Sequence, residues 1–127
     1  MLTVVTIAAI CINIEHIGRI LLADSERLVF NYGMAFSLFS NYPSFTMWLS
    51  VIACLMIAAA LLFTNLSERE KIGFSIMLGD ALSNCAEKII LGYVIDWIPL
   101  PLIPLSINLA DVEVGLGALI AFVNFIA

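Results

Sequence analysis

The sequence predicts an all-α integral membrane protein. It reads as a single domain (1–127) of four transmembrane helices with a small β-like element at the outer surface. Three observations carry this prediction. First, 63% of the 127 residues are hydrophobic, 12% are charged and mean hydropathy is +1.12, whereas a soluble domain is about half apolar and about a quarter charged. Second, once the polar breaks are set aside, the remaining apolar runs suit four spans of about 20 residues each. Third, the ionisable groups within this hydrocarbon-like chain are few and sit in short phrases, Asp96 and Asp111 above all. A carboxylate at bilayer depth is costly unless it is paired or lines a wet cavity, so each is a functional hypothesis by default. Five scattered Lys and Arg against a net charge of −5 leave no electrostatic footprint for nucleic acid.

Span one is expected from Leu2 to Ala23. No Lys or Arg precedes its apolar run, and Glu15, His16 and Arg19 interrupt it. It therefore reads as a retained span and not as a secretory leader. Glu15 and Arg19 lie four apart, share a helix face and can pair. His16 has no second His or Cys at ligand spacing and reads as packed or interfacial. Asp24 to Pro43 forms the first connection, and its Leu28–Phe39 stretch is aromatic, β-compatible and too short to span. Span two, Phe45 to Phe63, is almost free of polar groups. The loop Thr64–Lys71 carries Arg69 and Lys71, which places it in the cytoplasm and turns the loops holding Asn31 and Asp96 outward.

Span three, Ile72 to Leu91, is apolar except for Asp80, Ser83, Asn84, Glu87 and Lys88. Asp80, Asn84 and Lys88 follow one another at four-residue steps, with Glu87 beside them. In lipid such a stripe faces the bundle interior. Gly92–Leu105 carries Trp97, Pro99, Pro101 and Pro104, which suits an interfacial connection and excludes a regular helix. Span four runs from Ser106 with Asn108 and Asp111 in its first turn, where the helix dipole favours an acid. Cys11, Cys54 and Cys85 all fall in apolar runs and read as free thiols serving as small hydrophobes.

Asp96 follows span three and Asp111 opens span four, so a tight connection returns both carboxyls to one depth. Two carboxyls within a few ångströms share a proton. The ionised one then acts as general base on water, while the protonated one polarises a carbonyl and later protonates the leaving amine. Such a pair hydrolyses a peptide bond without a metal or cofactor, and none is expected. Glu113, two residues past Asp111, is expected to point to another face and is assigned no role.

The phrases Asn31-Tyr32-Gly33-Met34-Ala35-Phe36-Ser37, Gly79-Asp80-Ala81-Leu82-Ser83-Asn84-Cys85-Ala86-Glu87-Lys88, Gly92-Tyr93-Val94-Ile95-Asp96-Trp97 and Asn108-Leu109-Ala110-Asp111 occur in this order. Together they resemble the boxes of bacterial lipoprotein signal peptidase, the signal peptidase II family of intramembrane aspartic peptidases. The resemblance implies that Asp96 and Asp111 match the catalytic aspartates, and that Asn31, Asn84 and Asn108 line the site. It also implies that Lys88, Glu87, Glu15 and Arg19 stand where the family has supporting charged residues. By the same resemblance the outer β-like element becomes an extracytoplasmic cradle over the site. The implied substrate is a prolipoprotein, cut before its diacylglyceryl-modified cysteine, and the implied inhibitors are globomycin-type peptides. The implied location is the bacterial cytoplasmic (inner) membrane, multi-pass among membrane lipid, with the active site near the outer face. A monomer is expected, since the site is complete within one chain.

The sequence departs from the family pattern at several points. Glu87-Lys88 replaces Asp-Arg, Ser83 replaces Gly, Trp97 replaces Phe, and Ile107 replaces the Phe before Asn108. Lys lacks the bidentate fork of Arg, and Asp80 occupies a family glycine position. One rival reading is therefore a catalytically diverged paralogue that binds lipidated peptides or inhibitor without cleavage. Another, motivated by the stripe on span three, is a small ion or proton carrier, which a liposome flux assay would test.

Overall fold

A computed structural model of the chain describes residues 1–22, 28–33, 39, 41–100 and 106–126. The expected solvent-like run 24–27, box positions 34–38 and prolines 101 and 104 lie outside the described residues. The molecule is mostly helical, with α1 (Leu2–Leu22), α2 (Pro43–Phe63), α3 (Glu68–Leu91) and α4 (Leu109–Ile126). Short strands lie between the helices: β1 (Val29–Asn31), β2 (Val94–Asp96), β3 (Ile98–Pro99) and β4 (Ser106–Ile107).

Three helix starts differ from expectation, each for a local reason. Helix α2 begins two residues early because Pro43 occupies the first helical position, where its fixed φ and missing N–H cost nothing. Helix α3 begins at Glu68 because Ser67 and Glu70 form a reciprocal capping box. Helix α4 begins at Leu109, since Ser106 and Ile107 are spent on a strand and Asn108 caps. At the far end of α3, Gly92 adopts φ 84° and its N–H closes on the Lys88 carbonyl. That left-handed stop turns the chain directly into β2.

Helix α3 is the centre of the bundle and packs against α4, α1 and α2. Its approach to α4 is close enough to exclude side chains. A Cβ on Gly73 would lie 2.5 Å from the Gly117 carbonyl oxygen, and a Cβ on Gly117 would lie 2.7 Å from that of Gly73. Gly79 meets α1 in the same way, 2.6 Å from the Ala8 carbonyl oxygen. Small residues at such seams let backbones touch, which supplies the packing attraction that helices need where no hydrophobic force separates them from lipid.

The outside of the bundle is apolar. Helices α1 and α2, 21 residues each with hydropathy 1.6 and 2.3, are long and apolar enough to cross a membrane. Leu55, Met56 and Phe63 project outward from α2. The buried groups are instead polar to an unusual degree, including Glu15, Asn31, Thr46, Asp80, Lys88, Asp96 and Asn108. A polar interior behind an apolar exterior is the arrangement a bilayer demands.

At one end of the bundle β1 pairs antiparallel with β2, setting Val29 opposite Asp96 and Asn31 opposite Val94. Strand β3 pairs with β4. The aromatic rings of Phe30 and Tyr32 close over Tyr93 at centroid distances of 4.8 and 5.4 Å. The wholly buried Thr46 hydroxyl donates to the Tyr32 carbonyl at 3.0 Å, tying this end to α2.

Candidate active site

Asp96 is the last residue of β2, and 1% of its surface is exposed. The strand pairing brings Asn31 alongside, and its Nδ2 donates to Asp96 Oδ2 at 3.0 Å. Asn31 is itself oriented by Gly33, whose N–H donates to Asn31 Oδ1 at 2.8 Å. The other Asp96 oxygen accepts from Asn108 Nδ2 at 3.3 Å.

Asp111 is fixed by purely local structure. The Asp111 N–H donates to Asn108 Oδ1 at 2.9 Å, and the Asn108 N–H donates to Asp111 Oδ2 at 3.2 Å. Asn-x-x-Asp thus forms a reciprocal cap at the start of α4, which satisfies two orphan helix donors. Asn108 Nδ2 also donates to Asn84 Oδ1 of α3 at 2.9 Å. A single asparagine therefore bonds both aspartates and anchors them to α3.

Asp96, Asp111, Asn31, Asn84, Asn108 and Lys88 line one cavity of about 30 Å³. That is room enough for a water molecule, which needs on the order of 10–15 Å³ and several polar partners. A larger groove of about 350 Å³ shares Asn84, Lys88 and Asp111 and continues between α2, α3 and α4 along Leu49, Ala53 and Val112. Burial, and then the neighbouring Asp111, push the Asp96 carboxyl up to about 7, against the bond from Asn31 and the charge of Lys88. The native state therefore binds that proton more tightly than the unfolded chain does. The stability gained from it is full below the ordinary Asp range near 3.8 and is lost as pH rises through about 7.

The charged residues on α1 and α3 reach across helices. Arg19 pairs with Glu87, and the other Glu87 oxygen accepts the Ile95 N–H at 3.0 Å. The buried Glu15 accepts from the Trp97 indole at 3.1 Å. Beyond the shared face that their i, i+4 spacing predicts, Arg19 and Glu15 have partners on α3 and on the segment around Asp96. Both neighbours of Asp96 in the chain are held in this way, and the Trp97 N–H donates to the Ile107 carbonyl at 2.9 Å. Lys88 lines the cavity, with its ammonium donating to Ser50 Oγ of α2 at 2.9 Å. The sequence reading passed over Ser50 and Thr46, although polar residues four apart in an otherwise apolar span are a signal of interhelical bonding.

A family model described as signal peptidase (SPase) II matches residues 3–127. Relatives named lipoprotein signal peptidase include one from Trichormus variabilis, 37% identical over 91 residues, covering 70% of this chain and 58% of the relative. Another, from Caldicellulosiruptor bescii, is 35% identical over 90 residues, covering 71% of this chain and 59% of the relative. The chain thus spans somewhat under two thirds of the length of these curated relatives. In three dimensions it resembles a bacterial membrane enzyme determined by the in meso method at 2.3 Å resolution. That match has a TM-score of 0.79 at 16% identity and covers 99% of this chain and 88% of the other. A second such structure, at 1.9 Å, gives a TM-score of 0.77 at 16% identity over 98% and 93%. With the two apolar helices, these likenesses mark a bacterial membrane protein. By the match along almost its whole length, the chain belongs to the signal peptidase II family.

Proposed function

We propose that the chain is a prolipoprotein signal peptidase that hydrolyses the peptide bond before a diacylglyceryl-modified cysteine, with Asp96 and Asp111 activating water. The observation that carries this reading is that both aspartates line one water-sized cavity and are bonded by the same asparagine. In the reactive form one carboxyl is ionised and its partner protonated, and the titration belongs to the pair. Asp96, pushed up to about 7, is the member to which we assign the shared proton near neutral pH. It polarises the scissile carbonyl while the Asp111 carboxylate takes a proton from water, and it later protonates the leaving amine. The groove leading from Asn84, Lys88 and Asp111 toward Leu49 and Val112 is apolar enough to take acyl chains.

In this reading all four helices cross the bacterial cytoplasmic membrane as one domain, with the aspartates near the outer face and β1–β2 forming the cradle above them. Helix α3, with 24 residues, is about 36 Å long, and α4, with 18, about 27 Å, both commensurate with a hydrocarbon core of about 30 Å. The chain works as a monomer, and globomycin-type peptides compete for the groove.

The direct test is cleavage of a diacylglyceryl-modified prolipoprotein peptide by the purified protein in detergent, alongside binding of a globomycin-type inhibitor. One observation favours the binding-only alternative: the Lys88 ammonium is directed to Ser50. A folded protein that binds peptide or inhibitor but never cuts would establish that alternative.

Two further outcomes follow. Cleavage is expected to fall as pH rises past about 7, where the pair loses its last proton, and to fall again in acid as it gains a second. A pH–rate profile flat through neutrality would remove the proton-sharing pair. Asn108→Ala removes a bond to each aspartate as well as the α4 cap. It is expected to lower kcat by about 10²-fold and stability by about 1 kcal/mol. Wild-type kcat in the folded variant would show that the bridging asparagine does not position the acids.

A further inference from the structure

One helical turn inward from the cavity lies a second polar cluster that the proposed chemistry does not use. Cys11 of α1, Asp80 of α3 and Glu113 of α4 each offer one ligand atom, and these atoms all lie within 4.8 Å of one another. Asp80 is wholly buried. Among the described residues neither of its oxygens has a hydrogen-bond partner, and the buried Oε2 of Glu113 has none either. The cations nearest along these helices are engaged elsewhere, Lys88 with Ser50 and Arg19 with Glu87. Ionised carboxylates left unmatched in such a place cost several kcal/mol each, so their charge is neutralised in place, by a proton or by a cation.

The donor set says which. Two carboxylate oxygens and a thiol sulfur, converging from three helices, form a borderline set of the kind that selects a first-row divalent ion. Tetrahedral zinc, with bonds of about 2.0–2.3 Å, sets its ligand atoms roughly 3.3–3.8 Å apart. The three atoms lie within 4.8 Å of one another, so binding would draw them about an ångström closer. Three protein ligands would leave a fourth position for water. We propose that Cys11, Asp80 and Glu113 form a divalent-cation site of the zinc class that clamps α1, α3 and α4 beneath the aspartate cavity. The clamp is structural and independent of the proposed hydrolysis, and no step of that chemistry passes through it. Such a site departs from the sequence expectation, which was of no metal anywhere in the chain and of Cys11 as a small buried hydrophobe.

The test uses the full chain purified in detergent, loaded with Zn²⁺ and washed, and then with Co²⁺ as a spectroscopic probe. The expected result is one zinc per chain and a zinc-dependent rise in Tm. With Co²⁺, a near-ultraviolet sulfur-to-cobalt charge-transfer band is expected. Asp80→Asn and Glu113→Gln should each weaken zinc binding at least roughly tenfold, and Cys11→Ser should bind Co²⁺ without the charge-transfer band. Should an acid variant fail to fold, the Cys11→Ser spectrum decides alone. Equal zinc binding by parent and Asp80→Asn would overturn the proposal, as would a parent Co²⁺ spectrum without a sulfur band. So would an infrared protonated-carboxyl band that persists in zinc and disappears in Asp80→Asn, because the acids would then hold a proton in place of a metal.

Discussion

Asp96→Asn and Asp111→Asn are each expected to lower kcat for the lipidated peptide by about 10²–10⁴-fold, the range that a positioned acid or base supplies. The protein should remain folded in both. Asn is isosteric with Asp, and at position 96 it removes a carboxyl that the fold prefers to keep protonated. Above pH 7 the Asp96→Asn variant should therefore be no less stable than the parent. The two losses should not add, because either substitution disables the same pair, and the double variant is expected to be no slower than the slower single. Inhibitor binding supplies the control, since a folded variant that binds a globomycin-type peptide and does not cut separates lost chemistry from lost structure. Residual cleavage near the parent's rate in either variant would disprove the dyad.

Gly117→Val carries the largest expected effect on stability. The added Cβ would sit 2.7 Å from the Gly73 carbonyl oxygen and 2.8 Å from Met77 Cγ. The first of these atoms is backbone and cannot step aside without moving a helix. Overpacking usually costs about 1–3 kcal/mol, and a backbone clash belongs at the upper end. The displacement also draws α4 away from α3, and with it Asn108 from Asn84, so activity should fall with stability. Gly115→Ala is the matched control on the same helix, where an added Cβ meets nothing within 4 Å. It should be neutral or mildly stabilising. Thermal unfolding of both in detergent decides, and equal midpoints would mean that the α3–α4 seam is not close-packed.

The apolar runs gave α1 and α2 nearly to the residue, because their period and length are local properties. The Ser67–Glu70 cap was equally local and was overlooked only because its loop is polar. The pairing of Val29–Asn31 with Val94–Asp96 was of another kind. Two three-residue strands about 65 residues apart leave no local signature, and only packing selects their register. Asp96, Asp111, Asn31, Asn84 and Asn108 stood out because polar groups are scarce in such a chain, and the fold brings these five to one cavity. The partners of Glu15, Arg19 and Glu87 were hidden, since helical spacing speaks only of neighbours on one helix. Asp80 was opaque for the same reason: Cys11 and Glu113, which give it company, come from other helices.

The two aspartates depend on different parts of the polypeptide for their placement. Asp111 owes its position to a cap four residues long, whereas Asp96 owes its position to a strand far earlier in the sequence. A ribosome delivers these pieces in order, β1 well before α4. Until it docks against Gly73, Asp96 has Asn31 but neither Asn108 nor Asp111. A nascent chain therefore holds half a site until α4 has been made, and on the proposed function hydrolytic competence arrives only with that helix. On the proposed function, the docking of α4 and the onset of proteolysis would be a single event, sparing neighbouring membrane proteins from an unfinished peptidase.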